Sequence, residues 1–495
     1  MAELDMTTLS FGAPAAERDI DQGLADYFVE SAAFNRVAAR SKTVVLGNRG
    51  TGKSAIFKVL AKRESESGAV VIELSPEDYS YEMLTQVLAS EAQGSWAKLG
   101  AYAVAWKYLI WVLIMKGLNA SGPRLRRGGS NDIYRYLRDH HANMADNPIG
   151  ALISYLKRME GIKLGKVEAA LKARELERLY RLEEIQALLP AIQELCSSRK
   201  VVVLVDELDR GWDASEDARG FVAGLFQACM SINALSDNLT VYMSLRQELY
   251  DSIPELYEDA QKFRDVIETI SWDEASLLAL VAERIRYSQP ALRGLDDESV
   301  WSHVFAGTLD YRQNKSFNYI VDRTLYRPRE IIQFCSFAKD LAESSPVGFP
   351  LDYAVISEAE RNYSTERSRD VSAEYRFQYP GLLSVFEVFR GRVYTFDRQE
   401  LETLCLELAL GDKKIDESAE TWVADADPDR LIEILWEVGF LRAQAVGGIK
   451  GQRRSGSQYL GPHQVAVLNL RNVSRFQVHP MFRTHLGSKE PKRQH

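Results

Sequence analysis

The sequence predicts an α/β protein organised around a buried parallel sheet, and three observations carry that prediction. Four short apolar runs, at residues 43–46, 201–205, 239–244 and 266–270, give way to glycine, polar or charged residues, as strands covered on both faces do. The first run passes directly into Gly47-Asn48-Arg49-Gly50-Thr51-Gly52-Lys53-Ser54, which fits the pattern GxxxxGK[ST] in a strand–loop–helix setting. The second delivers Asp206-Glu207 to its C-terminal end, the edge of a parallel sheet at which ligands bind.

Each element follows from its residues. The glycines of the octet let the backbone fold into a nest of amides, so that residues 47–54 and the start of the next helix can cradle the phosphates of a nucleoside triphosphate. Lys53 would reach those phosphates, and Ser54 would hold Mg²⁺. Residues 55–62 then read as a helix with Ile56, Val59 and Leu60 on one face. Asp206 is the second metal-side residue, and Glu207 is placed to polarise an attacking water. The third run leads through Leu245 to Arg246, a candidate sensor, because a guanidinium forks onto phosphate oxygens and stays charged. Arg264, just before the fourth run, is a candidate trans-acting finger, against the plainer reading of a surface pair. No guanine-reading NKxD motif points to GTP, and no LSGGQ-like signature points to an ABC-type protein.

Composition bounds the rest. A chain of 495 residues has room for about two to four domains. Its hydrophobic share of 46% and charged share of 26% are those of an ordinary globular protein. The net charge of −9 argues against indiscriminate nucleic-acid binding. Cys196, Cys229, Cys335 and Cys405 are widely spaced in apolar helical patterns and read as reduced core thiols. Acidic Glu3 and Asp5, with no basic n-region, give no secretory signal, so a cytoplasmic location is expected. The apolar segment 101–115 contains Lys107 and is shorter than the roughly twenty residues of a membrane span, so it is expected to be a buried helix.

Along the chain, residues 1–40 read as a helical lead-in with Leu24, Tyr27, Phe28 and Phe34 as apolar positions. The core is expected over 41–272, with a helical insertion at about 95–195 that contains an arginine loop (Arg124, Arg126, Arg127) and a periodic helix over 165–189. Residues 273–345 turn all-helical, a lid in which Asp273 caps one helix and Arg327-Pro328-Arg329-Glu330 opens another over 331–341. A linker is expected over 346–373. Residues 374–495 then order as a winged helix. A helix follows Pro380, a second is opened by Asp397 and Glu400, and a third runs from Asp427-Pro428 to Gly439. A Gly/Arg-rich loop over 447–461, strands over 464–470 and 475–478, and a helix from Pro480 complete it. The third helix carries Asp429, Glu433 and Glu437 against Arg430, which opposes docking on DNA, although Lys450, Arg453 and Arg454 could touch phosphates.

In order, GNRGTGKS, VVVLVDELDRGWD, SLRQELY, SWDEASLLALVAERIRYS and YRPREIIQF resemble bacterial members of the ORC/STAND-like branch of AAA-type phosphate-loop ATPases. More narrowly, they are similar to a prokaryotic ATPase family often found near phage-defence and mobile-element genes. The resemblance covers residues of about 10–345. It implies an ATPase using ATP and Mg²⁺, with Arg246 at a sensor-1 position and Arg329 at a sensor-2 position beside the catalytic Glu207. The long insertion departs from the pattern and leaves the usual oligomer contacts open. Two functions stand. One is an ATP-dependent switch that controls assembly with further copies or a partner protein, possible phage defence included; the other is an ATP-gated DNA-binding loader. Nucleic acid is the less favoured partner, and no membrane partner is expected.

Overall fold

The computed structural model describes residues 4–75, 95–120, 128–141, 182–209, 212, 215–254, 256, 263–310, 312–345, 347–444, 459–465 and 468–490. The chain divides into two compact units. One comprises Ala16–Ala25 and Glu30–Ile270, the other Met1–Ala15, Asp26–Val29 and Ser271–His495. The lead-in is therefore shared: short stretches of it belong alternately to each unit.

The first unit is built on a five-stranded parallel sheet. Its strands are β1 (Val44–Leu46), β2 (Val70–Leu74), β3 (Val201–Val205), β4 (Leu239–Leu245) and β5 (Ile267–Thr269), in spatial order β2-β3-β4-β1-β5. Val44 lies opposite Met243 on one side and Ile267 on the other, and Val203 lies opposite Val241. All residues of β3 and β4 are buried, which is why both strands are legible as unbroken apolar runs. The order places β4 between the strand of the octet and the strand of Asp206. The C-terminal tip of β4, Ser244 to Arg246, thus lies between the two halves of the expected site.

The apolar segment is the heart of a longer helix, Ser95–Ala120, of 26 residues. Trp106, Leu109, Ile110, Val112, Ile114 and Met115 are fully buried in the core of this unit. Among the described residues no helix is long and apolar enough to cross a membrane. It packs across the helix Glu216–Asn233, and glycine permits the approach: a Cβ on Gly224 would lie 2.6 Å from Tyr102 Cβ and 2.7 Å from the Ala103 nitrogen. Trp106 Nε1 donates to the Phe221 carbonyl at 3.0 Å, and the Tyr102 hydroxyl to Asp217 at 3.1 Å. The insertion thus contributes to the core rather than decorating it. Its arginine loop, with Arg124, Arg126 and Arg127, and the stretch 165–181 lie outside the described residues.

The second unit begins with the helix Glu274–Ser288, opened by a capping box between Asp273 and Ser276. Asp297–Val304, Ser316–Val321 and Pro328–Glu343 follow, the last with proline in its first turn. Most of the segment expected as a linker is a 22-residue helix, Tyr353–Glu374. It buries Ile356, Ala359 and Tyr363, but also Glu360, Ser364, Arg367 and Ser368. Glu360 is held by the Tyr319 hydroxyl and Arg323 Nε, each at 2.6 Å.

Toward the C-terminus come Leu382–Glu387, Arg398–Ala409, Glu417–Ala424 and Pro428–Glu437. A four-stranded antiparallel sheet follows the order β6-β9-β7-β8, from β6 (Thr395–Asp397), β7 (Leu441–Gln444), β8 (Tyr459–Leu460) and β9 (Arg475–Val478). The strand expected over 464–470 is corrected: β7 pairs instead with β8 and β9. Two local bonds turn the chain away from strand geometry. The Gln464 side chain accepts from the Gly461 amide at 2.9 Å, and the Asn469 side chain accepts from Arg471 to open the short 3₁₀ turn Leu470–Asn472. Lys450, Arg453 and Arg454 lie outside the described residues.

Candidate nucleotide site

The loop after β1 is shaped by glycine where only glycine fits. A Cβ on Gly47 would lie 2.5 Å from Thr51 Oγ1, which itself donates to the Asn48 carbonyl at 2.9 Å. Gly50 and Gly52 have φ of 82° and 98°, in the left-handed region. Gly52 stands at the cap of the helix Lys53–Glu66 with no side-chain cap, so the first amides of that helix are left for an anion. Ser54 lies in the first turn, Asn48 is half-buried and Arg49 is exposed at the tip of the loop.

Lys53 Nζ donates to the carbonyls of Gly47 and Asn48, at 2.8 and 3.2 Å. Burial pushes its ammonium below the usual lysine range, while the charges of Asp209, then Asp206, and also Glu248 pull it up, and Arg246 pushes it further down. The same five residues therefore occupy one electrostatic neighbourhood at the C-terminal edge of the sheet.

The acidic half is ordered by short-range bonds. Asp206 Oδ1 accepts from the Ser244 hydroxyl and from the Glu207 amide, the latter at 2.9 Å, which fixes the carboxylate in one orientation. Glu207 has φ of 57°, a left-handed conformation that a non-glycine residue adopts at a cost of about 1–3 kcal/mol. That turn buries Leu208 in the core and brings Asp209 back toward the loop, where it pairs with Arg246. Arg246 itself is the cap residue of the short helix Gln247–Asp251, directly after β4.

Of the residues singled out by sequence, the structure brings together Lys53, Asp206 and Arg246, with the rest of residues 47–54 and Glu207 adjoining them in the chain. Arg329 belongs to the other unit, where Nε donates to the Pro14 carbonyl at 3.2 Å from the first turn of Pro328–Glu343. Arg264 is exposed in the turn before β5. Sequence reasoning missed Asp209, Ser244 and Glu248. A usable signal for the first was its place in Asp206-Glu207-Leu208-Asp209, a third acid carried past the strand end.

Residues 10–66 match the ORC-CDC6-like family, and residues 275–372 match the FunZ-associated C-terminal helical domain. The chain is 24% identical over 498 residues to a transposon gamma-delta 80.3 kDa protein, a provisional name, of Escherichia coli (strain K12), covering 97% of this chain and 67% of that protein. Two structures of the Aeropyrum Pernix ORC2 protein align over nearly the whole chain. The ADPNP-ADP complexes match at 11% identity and TM-score 0.30, covering 96% of this chain and 95% of that one. The ADP form matches at 12% identity and TM-score 0.31, covering 97% and 95%. Superpositions that loose carry no argument, so the fold stands on the strand order above. Residues 10–66 of this α/β chain, which contain the phosphate loop, are thus similar to the ORC-CDC6-like family.

Proposed function

We propose that the chain is an ATP-hydrolysing switch whose nucleotide state controls assembly with further copies or with a partner protein. The observation that supports this most is the gathering of Lys53, Asp206, Asp209, Arg246 and Glu248 around one phosphate loop at a parallel sheet edge. In this reading the amides of residues 47–54 cradle the phosphates, and Lys53 exchanges the Gly47 and Asn48 carbonyls for phosphate oxygens. Ser54 and the immobilised Asp206 offer the hard oxygen ligands that suit Mg²⁺. When bound, that ion would neutralise charge on the phosphates. Glu207 would accept the proton of the attacking water, Arg246 would read the γ-phosphate, and Arg329 keeps the second-sensor role that the resemblance implies.

We further propose that residues 374–495 form a winged-helix-like module used for protein contact rather than for reading DNA. Arg430 on the helix Pro428–Glu437 is engaged by Glu433 and Glu437 at 3.2 and 3.3 Å, and Asp429 is paired with Arg398, so no basic face is offered there. The name of the Escherichia coli relative supports a mobile-element setting. Light scattering on the protein alone, with Mg·ATP analogue and with Mg·ADP tests the switch. A mass or hydrodynamic radius that differs between the triphosphate and diphosphate states is expected, and identical values in all three sink it. A steep salt dependence of DNA binding would favour the loader instead.

A further inference from the structure

The ion pair between Arg246 and Asp209 joins two residues that sequence reasoning kept apart, since only Arg246 had a role. Both side chains are largely shielded, with 19% and 23% of their surface exposed, so the pair is not a solvated surface contact. Its position follows from two backbone features. The left-handed turn at Glu207 sends Asp209 back over the sheet edge, and β4, lying between β1 and β3, is followed directly by Arg246 at the same place. Asp209 is also the largest charge partner of Lys53, ahead of Asp206. A carboxylate that faces both cations of a phosphate site occupies the electrostatic position of a terminal phosphate.

We propose that Asp209 sets the preference of the site for triphosphate over diphosphate, by competing with the γ-phosphate for Arg246. The proposal rests on the ATP-binding reading above and adds to it a specificity residue. A γ-phosphate can recruit the guanidinium only by displacing the Asp209 carboxylate, and it approaches that carboxylate as a like charge. ADP leaves the pair intact and meets no such cost. Asp209 therefore lowers ATP affinity selectively, so that Arg246 turns only when a terminal phosphate is present. A ligand shifts such an equilibrium only through its differential contacts, and the pair supplies that difference.

The test is a calorimetric titration of Mg·ATP analogue and Mg·ADP into the full chain and its variants. Asp209→Asn keeps the shape of the side chain and removes its charge. The ratio of ATP to ADP affinity is expected to rise on the order of tenfold, the scale of one charge-assisted hydrogen bond released, beyond any change through Lys53 that both nucleotides share. Arg246→Ala should lower the ratio, and Asp209→Asn should add nothing in that background. If Asp209→Asn lowers the ratio or leaves it unchanged, Asp209 supports Arg246 or is indifferent to it, and the proposal is overturned. Asp209→Ser is read in the same way should the asparagine variant not fold. Failure of the underlying reading is separable: the unaltered chain would then bind neither nucleotide.

Discussion

Replacing Lys53 with alanine should weaken triphosphate binding without weakening the fold, and the structure gives the size of each effect. The ammonium is partly buried, and burial already disfavours its charge. Its two hydrogen bonds go to loop carbonyls of Gly47 and Asn48, so they hold the loop and not the core. Charge-assisted hydrogen bonds contribute about 1.5–3 kcal/mol each, and the two bonds given up on turning to phosphate offset part of that gain. A net loss of about 2–4 kcal/mol remains, or roughly 30- to 1,000-fold in Kd. Urea unfolding without nucleotide should show an unchanged or higher midpoint, because a desolvated charge has been removed. The pH dependence has a definite sign. Phosphate contact favours the protonated amine, so affinity falls as pH rises through the depressed Lys53 pKa, below the ordinary 10.5, and the variant loses that slope. Retained affinity by calorimetry would refute the site. An unfolding free energy lowered by more than about 2 kcal/mol would make Lys53 a structural clasp instead.

Glu207→Gln should keep nucleotide affinity and slow steady-state phosphate release by about 100-fold or more, since the amide preserves shape without the base; unchanged turnover would return Glu207 to a structural role. Arg329→Ala should spare ADP binding and lower the ATP-to-ADP affinity ratio, and equal weakening of both nucleotides would remove it as a sensor. Gly224→Ala should cost about 1–3 kcal/mol by urea titration, because its Cβ would meet Tyr102 and Ala103 backbone atoms at 2.7–2.8 Å, whereas Gly220→Ala meets only the Tyr102 ring and should cost less. Acid should weaken the second unit. Burial pushes His463, stacked on Tyr326, down to about 3, and His479 well below its ordinary 6.5. The unfolded chain then binds more protons between about pH 6.5 and 3, and stability drops as pH falls through that window, by up to ~1.4 kcal/mol per pH unit per histidine. A His463→Asn, His479→Asn double variant should flatten that dependence; an unaltered slope would assign it to carboxylates.

The legible parts of this chain are those whose signals are local. The octet, the unbroken runs of β3 and β4, the capping pair Asp397 and Glu400, and the left-handed Gly439 that ends the helix Pro428–Glu437 each act within a few residues. What stayed hidden depended on distant partners. Tyr353–Glu374 buries Glu360, Ser364, Arg367 and Ser368 beside Val355, Ile356, Ala359 and Tyr363, so polar residues interrupt its apolar stripe, and its partners Tyr319 and Arg323 lie far up the chain. β2 is an edge strand with a mixed burial pattern. The pairing of Asp209 with Arg246 spans two strands, and no spacing rule announces an ion pair of that kind. Residues 464–470 alternate like a strand, yet side-chain bonds to the backbone from Gln464 and from Asn469 hold turns near each end of the stretch.

The shared lead-in changes what a dissection of this protein would produce. Leu9 and Phe11 are 2% exposed within the second unit, and the Phe11 carbonyl accepts from Arg284, whose guanidinium also lies over the Tyr27 ring. A fragment starting at Ser271 would keep every helix of that unit and lose these three partners. Arg284, buried on the helix Glu274–Ser288, would lose the carbonyl acceptor and the ring that hold its guanidinium. The amino-terminal fragment would carry the same residues away as exposed apolar surface. Cutting the chain once between the nucleotide site and the helical unit therefore damages both pieces, whereas a fragment that rejoins the first thirty or so residues to Ser271 onward would restore the missing contacts.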